Sequence, residues 1–371
     1  MKTLLFGNGV NIQFGGKENS NKEILLRSVK KCRETNFPNH IIIDDSELIV
    51  GLLGNLFREL SEILNNEYGK YAISTDERTH LEELKLKYSN KKSLNFTDIG
   101  FEDYYLIYDL MCNKNKIKNP DRYYIREALK MMFILSIYND GRINENHKKF
   151  PRKLKDFFRE FDFIFTTNYD QNVEVFINKD VYYLHGAFKY RADVYREDSL
   201  RNKLSDRPID KQKIDENYYY LYSNVLTTYN GNYKSSSMEQ ATTVNSALNT
   251  FSEGYMKDEQ LKETVASWMT EENHILRNLA ESIMLKSEDE SLRYEELYPV
   301  NEFNQIEDEL IIVGLSPFND THIFKYINEN SKLKKVLYYY YLEDEKKVVA
   351  SLLNNIDTEF KQVSQLWSTY M

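Results

Sequence analysis

Four short apolar runs in this chain each stop on glycine or a small polar residue, and that recurrence constrains the fold more than any bulk property. Thr3–Phe6 runs into Gly7-Asn8-Gly9, and Phe163-Ile164-Phe165 ends in Thr166-Thr167-Asn168. Val181–Leu184 ends at His185-Gly186, and Leu310–Val313 at Gly314-Leu315-Ser316. Runs this short, rich in β-branched and aromatic residues, read as strands buried on both faces. Segments with helical spacing separate them, such as "KEILLRSVKKCR" and "PRKLKDFFREFD". Near the C-terminus "KKVLYYYYLED" adds a further strand and "EKKVVASLLNNI" a further helix. Strands alternating with helices predict an α/β fold, a Rossmann-like, doubly wound parallel sheet. Ligands of such sheets bind beyond the carboxyl ends of the strands, so the four polar strand ends are expected to line one pocket.

The first strand does not lead directly to a second. From about residue 40 to 150 the chain reads as a helical block. "HIIIDDSELIVGLLGNLFRELSEILNN" forms one helix capped by Asp45 or Ser46, with Glu47 in its first turn. "GFEDYYLIYDLMC" and "DRYYIREALKMMFILSIYN" form two more. Residues 190–300 differ in character: tyrosine clusters ("NYYYLY"), the polar stretch "NGNYKSSSMEQATTVNS", then a helical pattern from about 257 to 285. This segment is expected to be an insertion or lid over the sheet, partly mobile. The core is then 1–189 plus 301–371, with the helical block inside it.

At 371 residues, 41% hydrophobic and 29% charged, the composition is that of a water-soluble chain able to bury a sizeable core. The net charge of −9 argues against general nucleic-acid binding. Cys32 and Cys112 are the only cysteines and lie far apart, which excludes a four-cysteine zinc site and fits a reducing, cytoplasmic setting. The sequence offers no metal-ligand cluster. The N-terminal apolar run is too short for a signal peptide, and "LIVGLLGNLF" is about half the length a bilayer requires, so no membrane association is expected.

Gly7-Asn8-Gly9 has two readings. Asn-Gly marks a turn, whereas a strand that ends in Gly-x-Gly lets backbone N–H groups approach a pyrophosphate. The third glycine of the dinucleotide fingerprint would fall on Ile12, so the motif alone decides nothing.

Taken in order, "FGNGVN", "FTTNYD", "LHGAF" and "IIVGLSPFND" resemble the sirtuin-like NAD-binding family. That family reads Gly-Ala-Gly-x-Ser, Thr-Gln-Asn-Ile-Asp, Leu-His-Gly and Gly-Thr-Ser at the matching places. The resemblance covers residues 1–16, 160–188 and 308–345. The zinc ribbon of sirtuin deacetylases is absent, and "FGGKENSNKEIL" stands where the family has Asp-Phe-Arg. Both departures argue against protein deacetylation. They suit the sirtuin-like proteins of bacterial antiphage defence, which resemble this chain and destroy NAD+ in abortive infection.

The resemblance implies roles residue by residue. Asn168 would hold the nicotinamide ribose and orient a water, Asp170 would meet the carboxamide, and His185, 17 residues beyond Asn168, would be the catalytic histidine. Gly7, Asn8, Gly9 and Asn11 would bind the pyrophosphate region, with Thr167, Tyr169, Gly314 and Ser316 completing the nucleotide site. Each has a plainer reading beside it. Asp170 suits a cap for "QNVEVF", Ser316 a turn, and Asn319 and Asp320 a cap for "THIFKYI".

The implied reaction is cleavage of the nicotinamide–ribose bond of NAD+, with NAD as substrate and no metal. Nicotinamide leaves as a neutral base, the ribose passes through an oxocarbenium-like state, and a histidine near its ordinary pKa of about 6.5 serves as base. Unrestrained NAD+ loss would kill the host. Gating by homo-oligomer assembly or by a partner is therefore expected, and the resemblance points to a HerA-type ring ATPase. The alternative is a non-hydrolytic NAD or ADP-ribose sensing module that switches a partner protein.

Overall fold

Alternate residues of the central strands face opposite layers, and this pleat organises the molecule. The structure is a computed structural model that describes residues 1–89, 91, 93–118, 121–190, 215–226, 229, 232–288 and 298–371. Its sheet has six strands, all parallel: β1 (Lys2–Phe6), β2 (Phe163–Thr166), β3 (Tyr182–Tyr183), β4 (Asp308–Val313), β5 (Leu333–Tyr340) and β6 (Asp357–Gln362). The spatial order is β3-β2-β1-β4-β5-β6. From β1 the chain winds outward through β2 to β3. It then returns to the other side of β1 and winds outward again through β5 to β6. The reversal between β1 and β4 is the switch point of a doubly wound sheet, where its ligand crevice opens.

One face of the sheet, with Leu4, Phe6, Ile164, Ile311 and Val313, packs on Phe150, Phe157, Phe158 and Trp367. The other, with Leu5, Phe165, Leu310, Ile312 and Val336, packs on Phe303, Ile323, Phe324 and Val349. In register, Leu4 lies between Ile164 and Ile311, so each layer is continuous across the switch point.

The largest apolar cluster belongs to the helical block inserted between β1 and β2. Helices Asn21–Lys31, Ser46–Leu64, Thr75–Tyr88, Asp103–Asn115 and Asp121–Tyr138 build it, with Leu53, Leu60, Tyr104, Tyr108 and Phe133 at its centre. Helix Ser46–Leu64 begins as expected, with Asp45 accepting the Glu47 N–H.

The segment after residue 190 departs from its sequence reading. "NYKSSSMEQATTVNS" belongs to a long helix, Asn232–Lys257, followed by helices Glu259–Trp268 and His274–Glu288. These pack on one another around Leu248, Val265, Ala280 and Ile283. Of the 190–300 segment, expected to be partly mobile, residues 191–214, 227–228, 230–231 and 289–297 lie outside the described residues. Sequence pattern also omits β6 and the helix after it, Val363–Tyr370. Every residue of β6 is at least partly exposed, so it lacks the apolar signature of the inner strands.

The turn after β1 and the turn after β4 touch through backbone. The Gly7 N–H donates to Val313 O and the Gly9 N–H to Gly314 O, each at 3.0 Å. A Cβ on Gly9 would lie 2.6 Å from Gly314 Cα, and one on Gly314 2.9 Å from Gly9 Cα. Gly314 also adopts φ +68°, a region that side chains disfavour. Gly314→Ala is therefore expected to cost about 2–3 kcal/mol in chemical denaturation, from overpacking and strain together. Gly51→Ala is the control. Gly51 lies in the exposed interior of helix Ser46–Leu64 with open space where a Cβ would go, and its replacement should stabilise by about 0.5–1 kcal/mol.

Candidate functional site

A cleft of about 600 Å³ opens over the switch point, within the range of about 300–1,000 Å³ usual for small-molecule sites. The predicted residues Asn8, Gly9, Asn11, Thr167, Asn168, Tyr169 and Asp170 line it, joined by His185, Gly314 and Ser316. Gly7 does not. The turns after β1, β2, β3 and β4 thus meet at one edge, as the strand-end pattern predicts.

The two glycines have a different first task from the expected one. Their N–H groups are committed to the β4 turn, and their lack of side chains admits the Gly314 backbone. Asn8 is also occupied, its Nδ2 donating to Asn19 O at 2.8 Å.

Asp170 is a structural hub. Its buried carboxylate accepts from Asn11 Nδ2 at 2.6 Å and from the Asn172 N–H at 3.0 Å, while Asn172 Nδ2 reaches Asn11 Oδ1 at 3.3 Å. Burial raises its pKa, and these donors pull it back. This is the capping alternative realised: Asp170 starts helix Asn172–Ile177 and ties the β2 turn to helix Gly9–Gly15, which carries Asn11.

Asn168 differs. The Thr166 hydroxyl receives the Asn168 N–H at 3.0 Å and itself donates to Phe6 O, which fixes the turn. The Asn168 side chain is 7% exposed, yet its Nδ2 has no partner among the described residues. A buried amide donor without an acceptor costs about 1–3 kcal/mol, and this one lines the cleft.

His185 stands at the end of β3, where the Gly186 backbone (φ +80°) presses against Asn224. Its Nε2 is 3.0 Å from Nε2 of His322, with the rings stacked at 5.1 Å between centroids. Burial first, then Lys234, then the other imidazole, holds the His185 pKa well below 6.5, so the histidine is neutral and not near its ordinary value as expected. His322 is lowered likewise, by burial and then by Lys234 and His80. One proton must lie between the two Nε2 atoms. His322 Nδ1 is buried and unpartnered among the described residues. An orphaned N–H there is less tolerable than a bare ring nitrogen, which assigns the shared proton to His322 Nε2 and leaves His185 with Nδ1–H.

That Nδ1 faces Asp320, 3.9 Å away. Asp320 occupies the N-cap position of helix Thr321–Glu329, but its side chain caps nothing. The capping expected of Asn319 and Asp320 is not what the structure shows. Asn319 Oδ1 instead accepts from Lys87 Nζ at 2.8 Å. Burial pushes the Asp320 carboxyl up to about 7, with Lys234 lowering it, Glu102 raising it and Lys87 lowering it.

Sequence pattern does not point to Glu102, Lys234 or His322. Lys234, 1% exposed, donates to Glu102 Oε1 at 2.6 Å, and Tyr169 OH donates to the same oxygen at 3.2 Å. The helical block, helix Asn232–Lys257 and the β2 turn meet in this group. Charges on helices ordinarily face solvent, so only His322, close behind the β4 turn, carried a signal of place.

No protein-family model, curated protein or solved structure matches this chain. No helix of the described residues is long and apolar enough to cross a membrane.

Lys234→Met should leave Glu102 buried without its cation and cost about 3 kcal/mol in urea unfolding. In the same variant the His185 titration, followed by NMR, should move up toward 6.5, because a positive neighbour that lowers it is gone.

Proposed function

We propose that this chain is an NAD+ glycohydrolase, which cleaves the nicotinamide–ribose bond to give nicotinamide and ADP-ribose. The observation that carries the reading is Asn168: a buried side-chain amide, without an acceptor among the described residues, at the carboxyl end of a strand beside the switch point. It offers a donor to a ribose hydroxyl or a carboxamide, and the neutral His185 lines the same cleft.

Three features support a dinucleotide over a smaller ligand. The cleft extends across both halves of the sheet. Lys17 and Arg27 line it and supply positive charge for a pyrophosphate. On the β5–β6 side Tyr339, Tyr341 and Trp367 offer ring surface for a base. The four-motif resemblance to sirtuin-like proteins agrees with this substrate. The use of the reaction in antiphage defence, and gating by self-assembly or a HerA-type ATPase, belong to the proposal on that resemblance alone.

Nicotinamide release by the wild-type chain, Asn168→Ala and His185→Ala, beside calorimetric NAD+ binding, is the test. Wild type is expected to turn NAD+ over, and each variant to lose at least about 100-fold in kcat. His185→Ala should still bind. A wild type that binds NAD+ without turnover, alone and with an ATPase partner, would favour the sensing module. A wild type that does not bind NAD+ would sink both readings.

A further inference from the structure

The carboxylate of Asp320 is out of keeping with its place in the fold. An aspartate just before a helix ordinarily accepts a backbone N–H of the first turn. Asp320 does not, and among the described residues its carboxylate accepts no hydrogen bond at all. It lines the cleft instead, with its side chain 13% exposed and Oδ1 3.9 Å from His185 Nδ1. That separation is too long for a direct hydrogen bond and suits a single oxygen atom bonded to both groups.

We propose that Asp320 is the general base of this cleft, and that the attacking water is held between Asp320 Oδ1 and His185 Nδ1. This rests on the glycohydrolase reading. The C–N bond to nicotinamide breaks, and its electron pair leaves with the ring nitrogen. The water oxygen bonds to the ribose C1′, and its proton passes to the Asp320 carboxylate and from there to solvent. His185, carrying its proton on Nδ1, donates to the water oxygen and orients it. His322 fills His185 Nε2 with its own Nε2–H and so fixes that tautomer. His185 is thus the orienting group and Asp320 the proton acceptor.

The surroundings suit the task. A general base works best when its pKa lies near the operating pH. Asp320 is pushed up to about 7 by burial, balanced by Lys234, Glu102 and Lys87, whereas His185 and His322 are held well below 6.5. The charged and titratable groups that act on the three residues are Lys234, Glu102, Lys87 and His80.

Asp320→Asn keeps the shape and removes the ionisation, and because the carboxylate accepts no hydrogen bond among the described residues, the variant should fold. Two measurements are made. In nicotinamide release, wild-type kcat should rise with pH through about 7. The variant should lose at least about 100-fold in kcat with KM changed less than about threefold, and should lose that limb of the profile. Unchanged kcat in the variant overturns the proposal. The second measurement needs no turnover. Between about pH 4 and 7 the native protein holds a proton on Asp320 that the unfolded chain has released, so this group's contribution to stability falls as pH rises through that window. Asp320→Asn removes the fall. Its melting temperature relative to wild type should climb from pH 4 to 8. A difference that does not vary with pH overturns the assignment of the proton to Asp320. A wild type without turnover but with the pH-dependent difference supports Asp320 as the cleft's proton acceptor and counts only against the glycohydrolase reading.

Discussion

The backbone contact between Gly9 and Gly314 is the constraint on which the cleft depends. The sheet reverses direction between β1 and β4, and a crevice opens there because the connections on either side diverge. How deep it opens depends on how closely the two turns approach beneath it. Here the turns touch main chain to main chain, with Gly314 in a left-handed conformation. Any side chain at either position would lift one turn and displace the walls carried by it. Asn168 and Asp170 hang on one side of this seam, through Thr166 and Asn11, and Asp320 and His322 on the other, through the β4 turn. His185 comes to these groups from the turn after β3, with Asp320 3.9 Å from its Nδ1 and His322 3.0 Å from its Nε2.

Charge is arranged around this seam with economy. Lys234 enters from helix Asn232–Lys257 and reaches Glu102 from the helical block, so the two parts of the chain outside the sheet meet at the site. A fully buried ion pair seldom adds net stability, because desolvation offsets attraction. Its effect here is on its neighbours. The ammonium lowers the pKa of both histidines and opposes the rise in Asp320. Burial favours neutral imidazoles and a protonated carboxyl, and the lysine opposes the second of these effects while reinforcing the first.

The inner sheet was legible because β1, β2 and β4 are buried on both faces, which forces uninterrupted apolar runs. The strand ends were legible for the same reason: glycine and small polar residues stand out where such a run stops. β6 escaped because an edge strand half open to solvent can be polar throughout. Helix Asn232–Lys257 escaped because serine, threonine and asparagine have weak intrinsic helix preference, and packing against two further helices overrides it. In the site, Asn168 and His185 were visible at their strand ends. Asp170 and Asp320 each precede a helix and look alike in sequence. One serves as a hydrogen-bond hub and the other accepts no hydrogen bond among the described residues, and only the fold distinguishes them. Lys234 and Glu102, 132 residues apart, carry no local pattern that would pair them.

Several unmet polar groups lie in or near the cleft at a cost in stability. Among the described residues Asn168 Nδ2 and His322 Nδ1 are buried without partners, and so is Nε2 of His80, whose ring lies within electrostatic reach of His322. The carboxylate of Asp320, which accepts no hydrogen bond among the described residues, belongs to the same neighbourhood. Each such group costs on the order of 1–3 kcal/mol, which one apolar substitution would recover. The Thr3 hydroxyl in β1 is another such atom, and the Tyr105 hydroxyl, also buried without a partner among the described residues, lies within electrostatic reach of Glu102. Of these groups, Asn168 and Asp320 line the cleft, and those two are the ones that a ligand with hydroxyl and amide groups would satisfy. In that view the cleft's deficit of hydrogen bonds is the complement of the molecule that fills it.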